Sequence, residues 1–538
     1  VLGHIFEKYI NQKQMGAYYT KEDITDYITR STVIPWLFRN AESHDRVAFE
    51  PGGAVWRMLS EDPDAYIFKS VRHGADKRLP DNIAAGVDDV SKRGDWNKVA
   101  SLEIGLSTET WREAVARRER YATVKAKATA GEIASIEDFI TFNLDIRQFA
   151  LDAIQYAESP DLVRAFWKGI SAVKVLDPAC GSGAFLFAAL NILYDLYDAC
   201  LERMEQFVAA APEGSGPRQL YSDFREVLAR IGRHPNRPYF IYKSIILDNL
   251  YGVDIMDEAV EICKLRLFLK LAAQLESADQ IEPLPDIDFN IRAGNTLIGY
   301  TSFDDVRGAQ ERRGFVMDDH AATIEASAQD LDAAFRLFRQ QQTELHGQID
   351  GRHKADLRAR LAELEGRLDR FLARDYGIEG DDNLAENAEF KAWKASHKPF
   401  HWLVEFYGII QAGGFDVLVG NPPYIEKSQI EYEPLALPNT SGCSNLYADF
   451  IEKGWLLLSQ SGDLGLIVPI SLVSIDGYAS VRNLVLSQSS FVAMSHWSVF
   501  PAKLFTGVAQ RLTILIASRG EQKLAPLTTG YRKWFEGE

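Results

Sequence analysis

The stretch SAVKVLDPACGSGAFLFAALNILYDLYDAC, residues 171–200, limits the fold more than any other part of the chain. A short apolar run ends in an aspartate, turns through glycines and enters a long apolar segment. Strand, glycine turn and helix in that order form the opening unit of a doubly wound α/β sheet. Six further runs carry a strand signature: NLYGVDI (249–255), DFNIRAGNTL (288–297), FDVLVG (415–420), GDLGLIVPI (462–470), FVAMSHWSV (491–499) and RLTILIAS (511–518). With helices between them, they predict an open, mostly parallel sheet.

Residues 1–165 lack this rhythm and read as a helical N-terminal region. Residues 166–301 hold the first part of the sheet, 401–538 the second, and 302–400 an insertion between the third and fourth strands. Inside the insertion Leu331, Phe335, Phe338 and Leu345, then Leu357, Leu361, Leu364, Leu368 and Phe371, step by four and three, the signature of a heptad seam. The polar turn QIDGRH between them predicts an antiparallel helical hairpin projecting from the sheet. Such a hairpin serves either as a spacer packed on itself or as a contact for DNA or a partner.

A net charge of −17 weighs against a purely electrostatic nucleic-acid binder, although it leaves room for a local basic groove. The cationic stretch WREAVARRERYATVKAKA (111–128) reads first as a solvated helix face. Four cysteines without a CxxC pair indicate neither a disulfide framework nor a zinc site. The ten histidines show no ligand spacing, so no metal is expected. Apolar runs such as LGLIVPISLVSI (464–475) fall short of the roughly 20 residues of a membrane span, and no signal peptide opens the sequence. A cytoplasmic protein with no membrane partner is the expectation.

Four polar groups are expected at the carboxyl ends of strands one to four, where open α/β sheets bind ligands. The loop DPACGSGAF (177–185) has glycines that let backbone approach a ligand, but Leu186 stands where a dinucleotide fingerprint needs its third glycine. Asp254, ending a strand, suits the hydroxyls of a ribose. Asp177 can receive an ammonium group or cap its own loop. Asn295 can meet an adenine edge or form an Asx turn. The fourth group lies in GGFDVLVGNPPYIEK (413–427), where Pro422 and Pro423 stiffen a loop that follows a buried strand. A conjugated amine is a poor nucleophile until its lone pair is localised. The Asn421 side-chain oxygen and the Pro422 carbonyl can accept both amino hydrogens, and Tyr424, read as an exposed aromatic, supplies a flat wall.

Together these motifs resemble the class I S-adenosylmethionine-dependent methyltransferases, specifically the N6-adenine DNA methyltransferases. The resemblance implies a Rossmann-like sheet, S-adenosylmethionine as cofactor and double-stranded DNA as substrate. GAYYTKEDITDYI (16–28) resembles the family's tyrosine-threonine element, which implies that Thr20 touches the cofactor carboxylate. It implies that Asp177, Pro178, Ala179, Gly181 and Gly183 hold the methionine end, Asp254 and Ile255 the ribose side, and Asn295 the adenine. At 295 the family carries an acid and this chain an amide. It further implies that Asn421, Pro422, Pro423 and Tyr424 form the catalytic loop, and that Phe505, with Phe500 second, joins Tyr424 in stacking on a flipped base. FEKYINQKQMGAYYTKEDI, LPDNIAAGVDDVSKRGDWN, LSTETWREAVARRERY and FITFNLDIRQFALDAI are similar to the PglX-type enzymes of BREX phage defence and to relatives in DISARM and fused restriction-modification systems. Those enzymes usually continue into a target-recognition domain. Recognition is therefore expected in further sequence or in another defence subunit.

The same loop can orient the amine of RNA, of a protein glutamine or, less readily, cytosine N4. An inactive cofactor-binding subunit is a reading from another class, opposed by the intact NPPY. Asp381, Asp382, Glu389 and Lys391 have the composition of a nuclease site but no bracketing strands, so an acidic loop entering a helix is expected there.

Overall fold

The computed structural model describes residues 20–211, 220–277, 286–312, 320–344, 351–378, 387–499, 504, 510–521 and 525–530. The expected strands form one sheet: β1 (Val175–Asp177), β2 (Leu250–Asp254), β3 (Ile291–Ala293), β4 (Phe415–Gly420), β5 (Leu458–Pro469), β6 (Ser489–Trp497) and β7 (Leu512–Arg519). A two-residue strand, β8 (Leu527–Thr528), closes one edge. Their order is β3-β2-β1-β4-β5-β7-β6-β8. Strands β1 to β5 run parallel, with Val175 opposite both Leu250 and Val417, whereas β7 runs antiparallel to β5 and β6. Composition does not encode that reversal. It is set by long-range pairing, with β7 inserted between β5 and β6 and bonded antiparallel to both.

The first described helix, α1 (Glu22–His44), decides how the N-terminal region meets the sheet. Every residue from Ser31 to Phe38 is buried, so the helix has neighbours on more than one side. One side lies on the sheet. A Cβ placed at Gly465 of β5 would sit 2.7 Å from Ile28 and 2.8 Å from Thr32, so glycine lets the helix approach closely. The other side meets helices Ile146–Gln155 and Pro160–Ala172, where Phe149 stacks on Phe139 at 4.4 Å and on Trp56 at 5.7 Å. Buried Thr32 satisfies its hydroxyl on the Ile28 carbonyl at 3.0 Å. Arg39 reaches Asp463 of β5 at 2.6 Å and Glu137 at 2.8 Å. One apolar core therefore runs from the N-terminal helices through the sheet.

Helix α2 (Ala184–Ala210) is long and apolar enough to cross a membrane, but 67% of its most apolar window is buried inside the protein. Its hydropathy is spent on the core.

The insertion forms the predicted helix pair, α3 (His320–Glu344) and α4 (Gly351–Ala373); Leu345 lies outside the described residues. It does not project. Leu331, Phe338, Leu357, Leu361, Leu364 and Leu368 share a second core with Phe289, Phe303, Trp393 and Leu403, so the pair packs beside the β3 edge. Phe289 meets Phe335 at 4.6 Å, and Lys354 pairs with Asp288 at 2.9 Å. The seam is wider than the hairpin alone can cover, and the surplus apolar surface buries against the sheet.

The cationic helix Trp111–Thr129 keeps Arg112 and Arg120 exposed, as a solvated face would, but draws Arg117 inward. Arg117 pairs with Glu109 at 2.8 Å and donates to the carbonyls of Val71, His73 and Ile104; Arg120 donates to Phe142 and Lys125 to Asp64. Arg117 thereby ties this helix to the 70–73 and 104–109 segments.

Helix α5 (Tyr447–Leu457) carries a buried cation, Lys453, whose ammonium donates to Thr301 Oγ1 at 2.7 Å and feels the Asp305 carboxylate without pairing with it directly. Burial pushes its pKa down to about 8. The unfolded lysine holds its proton more tightly, so native stability should rise as pH increases from about 8 to about 10.5. Relative to Lys453→Met, chemical denaturation should show a gain on the order of 3 kcal/mol across that window. A gap between parent and variant that does not change with pH would refute it.

Candidate active site

A polar side chain stands at or within two residues of the carboxyl end of each of strands β1 to β4, along one edge of the sheet. Asp177 ends β1 fully buried, its Oδ1 accepting from Ala179 N at 3.2 Å, the loop-capping geometry. Asp254 ends β2 and bridges to the neighbouring strand: Oδ2 accepts from Gly181 N at 2.8 Å and Oδ1 from Met256 N at 2.9 Å. Gly181 and Gly183 both take positive φ, 50° and 88°. A Cβ at Gly183 would lie 2.6 Å from the Cys263 thiol, so the loop tolerates no side chain there. Burial raises both carboxyls above the ordinary carboxylate range, Asp177 strongly; two backbone amides and Lys398 draw Asp254 back down. Two charge-averse carboxylates side by side favour a cationic ligand.

Asn295 follows β3 and is buried. Its Oδ1 accepts from Leu297 N at 3.1 Å, an Asx turn, and its own amide N–H donates to the Lys398 carbonyl at 2.8 Å. Thr296 Oγ1 donates to the Pro178 carbonyl and ties this turn to the glycine loop. Ile255 offers its carbonyl to the Lys398 ammonium at 3.0 Å.

Asn421 follows β4, and its Nδ2 donates to Thr20 Oγ1 at 3.1 Å across 401 residues of sequence. That bond fixes the plane of the carboxamide and sets Oδ1 on the side away from Thr20. Pro422 is buried and Pro423 partly so. Tyr424 corrects the expectation of an exposed aromatic: it is 8% exposed and its hydroxyl donates to the Ile467 carbonyl of β5 at 2.7 Å. A phenol at a strand end finds a carbonyl partner, and the ring joins the core. Tyr424→Phe should cost about 1 kcal/mol of stability through that lost hydrogen bond. It should also leave any ring-stacking role intact; a thermal midpoint equal to the parent's would refute the anchor.

Phe505 and Phe500 lie outside the described residues, as do Asp381, Asp382 and residues 16–19 of the tyrosine-threonine element. Glu389 and Lys391 sit two apart on helix Ala388–His397, a spacing at which side chains do not face each other.

Several neighbours escaped the sequence reading. Leu297, Leu446 and Phe450 form a small buried cluster against Ala179, Ile425 and Ile430, between the glycine loop and the NPPY loop. The i, i+4 pair Leu446 and Phe450 in NLYADF was a legible signal. Tyr432, its phenol pushed up to about 12 by burial, lies close to the Asn295 side chain. The connection after NPPY is stapled by Lys427 to Asp449 at 2.9 Å and by Asn439 to Glu452 at 2.7 Å.

A mostly parallel sheet ordered 3-2-1-4-5-7-6 with its seventh strand reversed defines the class I S-adenosylmethionine-dependent methyltransferase fold. Comparison with known proteins gives the particular setting. Residues 248–501 match the family model of the Eco57I restriction-modification methylase, and residues 153–297 that of the MmeI DNA-methyltransferase domain. RM.MjaORFECS2P of Methanocaldococcus jannaschii, which carries the name of a type II restriction enzyme and methyltransferase, is 28% identical over 72% of this chain and 34% of its own length. The adenine-specific methyltransferase BrxX of Escherichia coli is 22% identical over 60% of this chain and 23% of its own. The chain thus spans about a third or less of the length of the curated relatives it matches. Among solved structures, the Type IIL restriction-modification enzyme MmeI in complex with DNA is 12% identical, with 99% of this chain and 58% of that one covered at a TM-score of 0.35.

Proposed function

We propose that the chain transfers a methyl group from S-adenosylmethionine to the N6 amino group of a flipped-out adenine in DNA, as the modification enzyme of a restriction-modification or phage-defence system. The Asn421 loop standing beside the buried Asp177 and the partly buried Asp254 carries this reading. The donor set suits the cofactor: Asp177 and Asp254 lose solvation by burial, and a ligand bearing an ammonium and a sulfonium offsets their charge. Thr20 and the methionine loop would hold its amino-acid end, Asp254 and Ile255 the ribose, Asn295 and the Phe450 cluster the adenine. The bound cofactor supplies an electrophilic methyl group.

The chain's own residues then prepare the nucleophile. The Asn421 Oδ1 and the Pro422 carbonyl accept the two N6 hydrogens and localise the lone pair without a strong base. Tyr424 is 8% exposed and locked by its bond to Ile467, and the part of its ring left uncovered is the surface proposed for stacking with the unpaired base, worth roughly 1–3 kcal/mol. Such stacking helps offset the loss of duplex stacking. Kinship with the restriction-modification methylase and the name of BrxX favour adenine in DNA over an RNA or protein acceptor. The PglX-like stretches favour a defence role, in the cytoplasm. The test is cofactor-dependent formation of N6-methyladenine in unmethylated DNA, measured by nucleoside mass spectrometry. Methyl label appearing only in RNA or protein would overturn the choice of acceptor.

A further inference from the structure

The returning end of the insertion meets the β3 turn through Lys398, Pro399 and Phe400, and of these three Lys398 also reaches the end of β2. Lys398 follows helix Ala388–His397 at φ 44°, ψ 59°, a left-handed conformation that L side chains rarely adopt. Glycine is the usual occupant of that place after a helix, so lysine there is costly for the backbone. Its contacts account for it. The Lys398 main-chain carbonyl accepts from Asn295 N at 2.8 Å, beside an isolated bridge between Asn295 and Pro399. The ammonium crosses to β2, donating to the Ile255 carbonyl at 3.0 Å and to Asp257 Oδ2 at 2.6 Å. The pair with Asp257 is largely exposed, with side chains 38% and 67% accessible, and contributes little by itself. The bond to Ile255 is different, because it holds the residue immediately after Asp254.

We propose that Lys398 is a positioning residue for the cofactor: from outside the pocket it sets the spacing between the β2 end at Ile255 and the β3 turn at Asn295, the two walls of the nucleoside slot. The inserted segment, foreign to the sheet's own repeat, thereby acts as an outer clamp on cofactor affinity. Its packed second core, shared by α3, α4 and Phe289, makes that clamp rigid. The ammonium also lies near enough to lower the Asp254 carboxyl, which favours the ionised form that a ribose meets. The inference rests on the S-adenosylmethionine reading of the site.

The test uses Lys398→Gly and Lys398→Arg in the full chain. Affinity for S-adenosylmethionine and S-adenosylhomocysteine is measured by calorimetry, next to thermal midpoints and steady-state kinetics on DNA. Glycine removes the side chain and suits the positive φ, so the midpoint should hold or rise while both ligands bind about tenfold more weakly. The loss should appear in KM for the cofactor rather than in kcat. Arginine, which keeps a donor and a charge of similar reach, should recover binding to within about threefold of the parent. If Lys398→Gly binds both ligands as tightly as a binding-competent parent, Lys398 only ends a helix and the proposal fails. A drop in affinity matched by a drop in midpoint would reduce the residue to a structural role and also overturn it. A parent chain that binds neither ligand would remove the cofactor reading and this inference together.

Discussion

Asn421→Ala should lower adenine methylation by about a hundredfold or more while S-adenosylmethionine binding stays within about threefold of the parent. The asymmetry follows from where the side chain sits. Its Nδ2 is committed to Thr20 Oγ1, and its Oδ1 is the acceptor proposed for one N6 hydrogen. Alanine keeps the Pro422–Pro423 backbone and its carbonyl, so half of the acceptor pair survives, but the amine is no longer held pyramidal. A group that acts mainly on the reacting amine should show in kcat and kcat/KM alike, not in cofactor affinity. Nucleoside mass spectrometry and isothermal calorimetry on the same preparations check both halves. Activity within tenfold of the parent would remove Asn421 from the chemistry. An equal collapse of cofactor binding would mean that the Thr20 contact had been the important one.

Phe149→Ala should destabilise the chain by about 4 kcal/mol, near the top of the usual range for a single core truncation. Phe149 is fully buried among Phe38 at 5.6 Å, Trp56 at 5.7 Å, Tyr66 at 5.1 Å and Phe139 at 4.4 Å. These rings come from four separate helical segments, so no local rearrangement refills the space. Because that cluster is continuous with the core that α1 shares with β5, the N-terminal helices and the sheet should unfold together. Denaturant unfolding followed by far-UV dichroism and tryptophan fluorescence should give one shifted transition. Two transitions, with only the first moved by the substitution, would show that the helical region is an independent unit.

Local sequence carried the strands and loops because each is a short-range signal. FDVLVG, NLYGVDI and RLTILIAS are apolar runs of strand length bounded by turn residues, and all three are strands in the structure. Asp177, Asp254, Asn295 and Asn421 were legible because strand-end chemistry follows directly from where an apolar run stops. Periodicity likewise found the two helices of the insertion. Side-chain environment was harder to read. Tyr424 looked exposed because the partner of its hydroxyl, the Ile467 carbonyl, lies 43 residues further on. The basic stretch at 111–128 is largely the solvated face expected, but the inward turn of Arg117 was hidden because the carbonyls and carboxylate it meets come from residues 71–73, 104 and 109. The hairpin looked free-standing because a heptad seam states how wide the apolar stripe is without stating what covers it.

What the sequence determined by itself is therefore the class of sheet, the order of its loops and the chemistry of the group ending each strand, all set by residues within a few positions of one another. Only the tertiary structure decided that Thr20 meets Asn421, that Asp254 braces the glycine loop of the neighbouring strand, and that Lys398 of the insertion grips Ile255 and Asn295. Each of those contacts joins segments roughly 70 to 400 residues apart. Hydrogen bonds of that reach depend on which apolar faces bury against each other, and hydrophobic burial has no direction until the whole chain has packed.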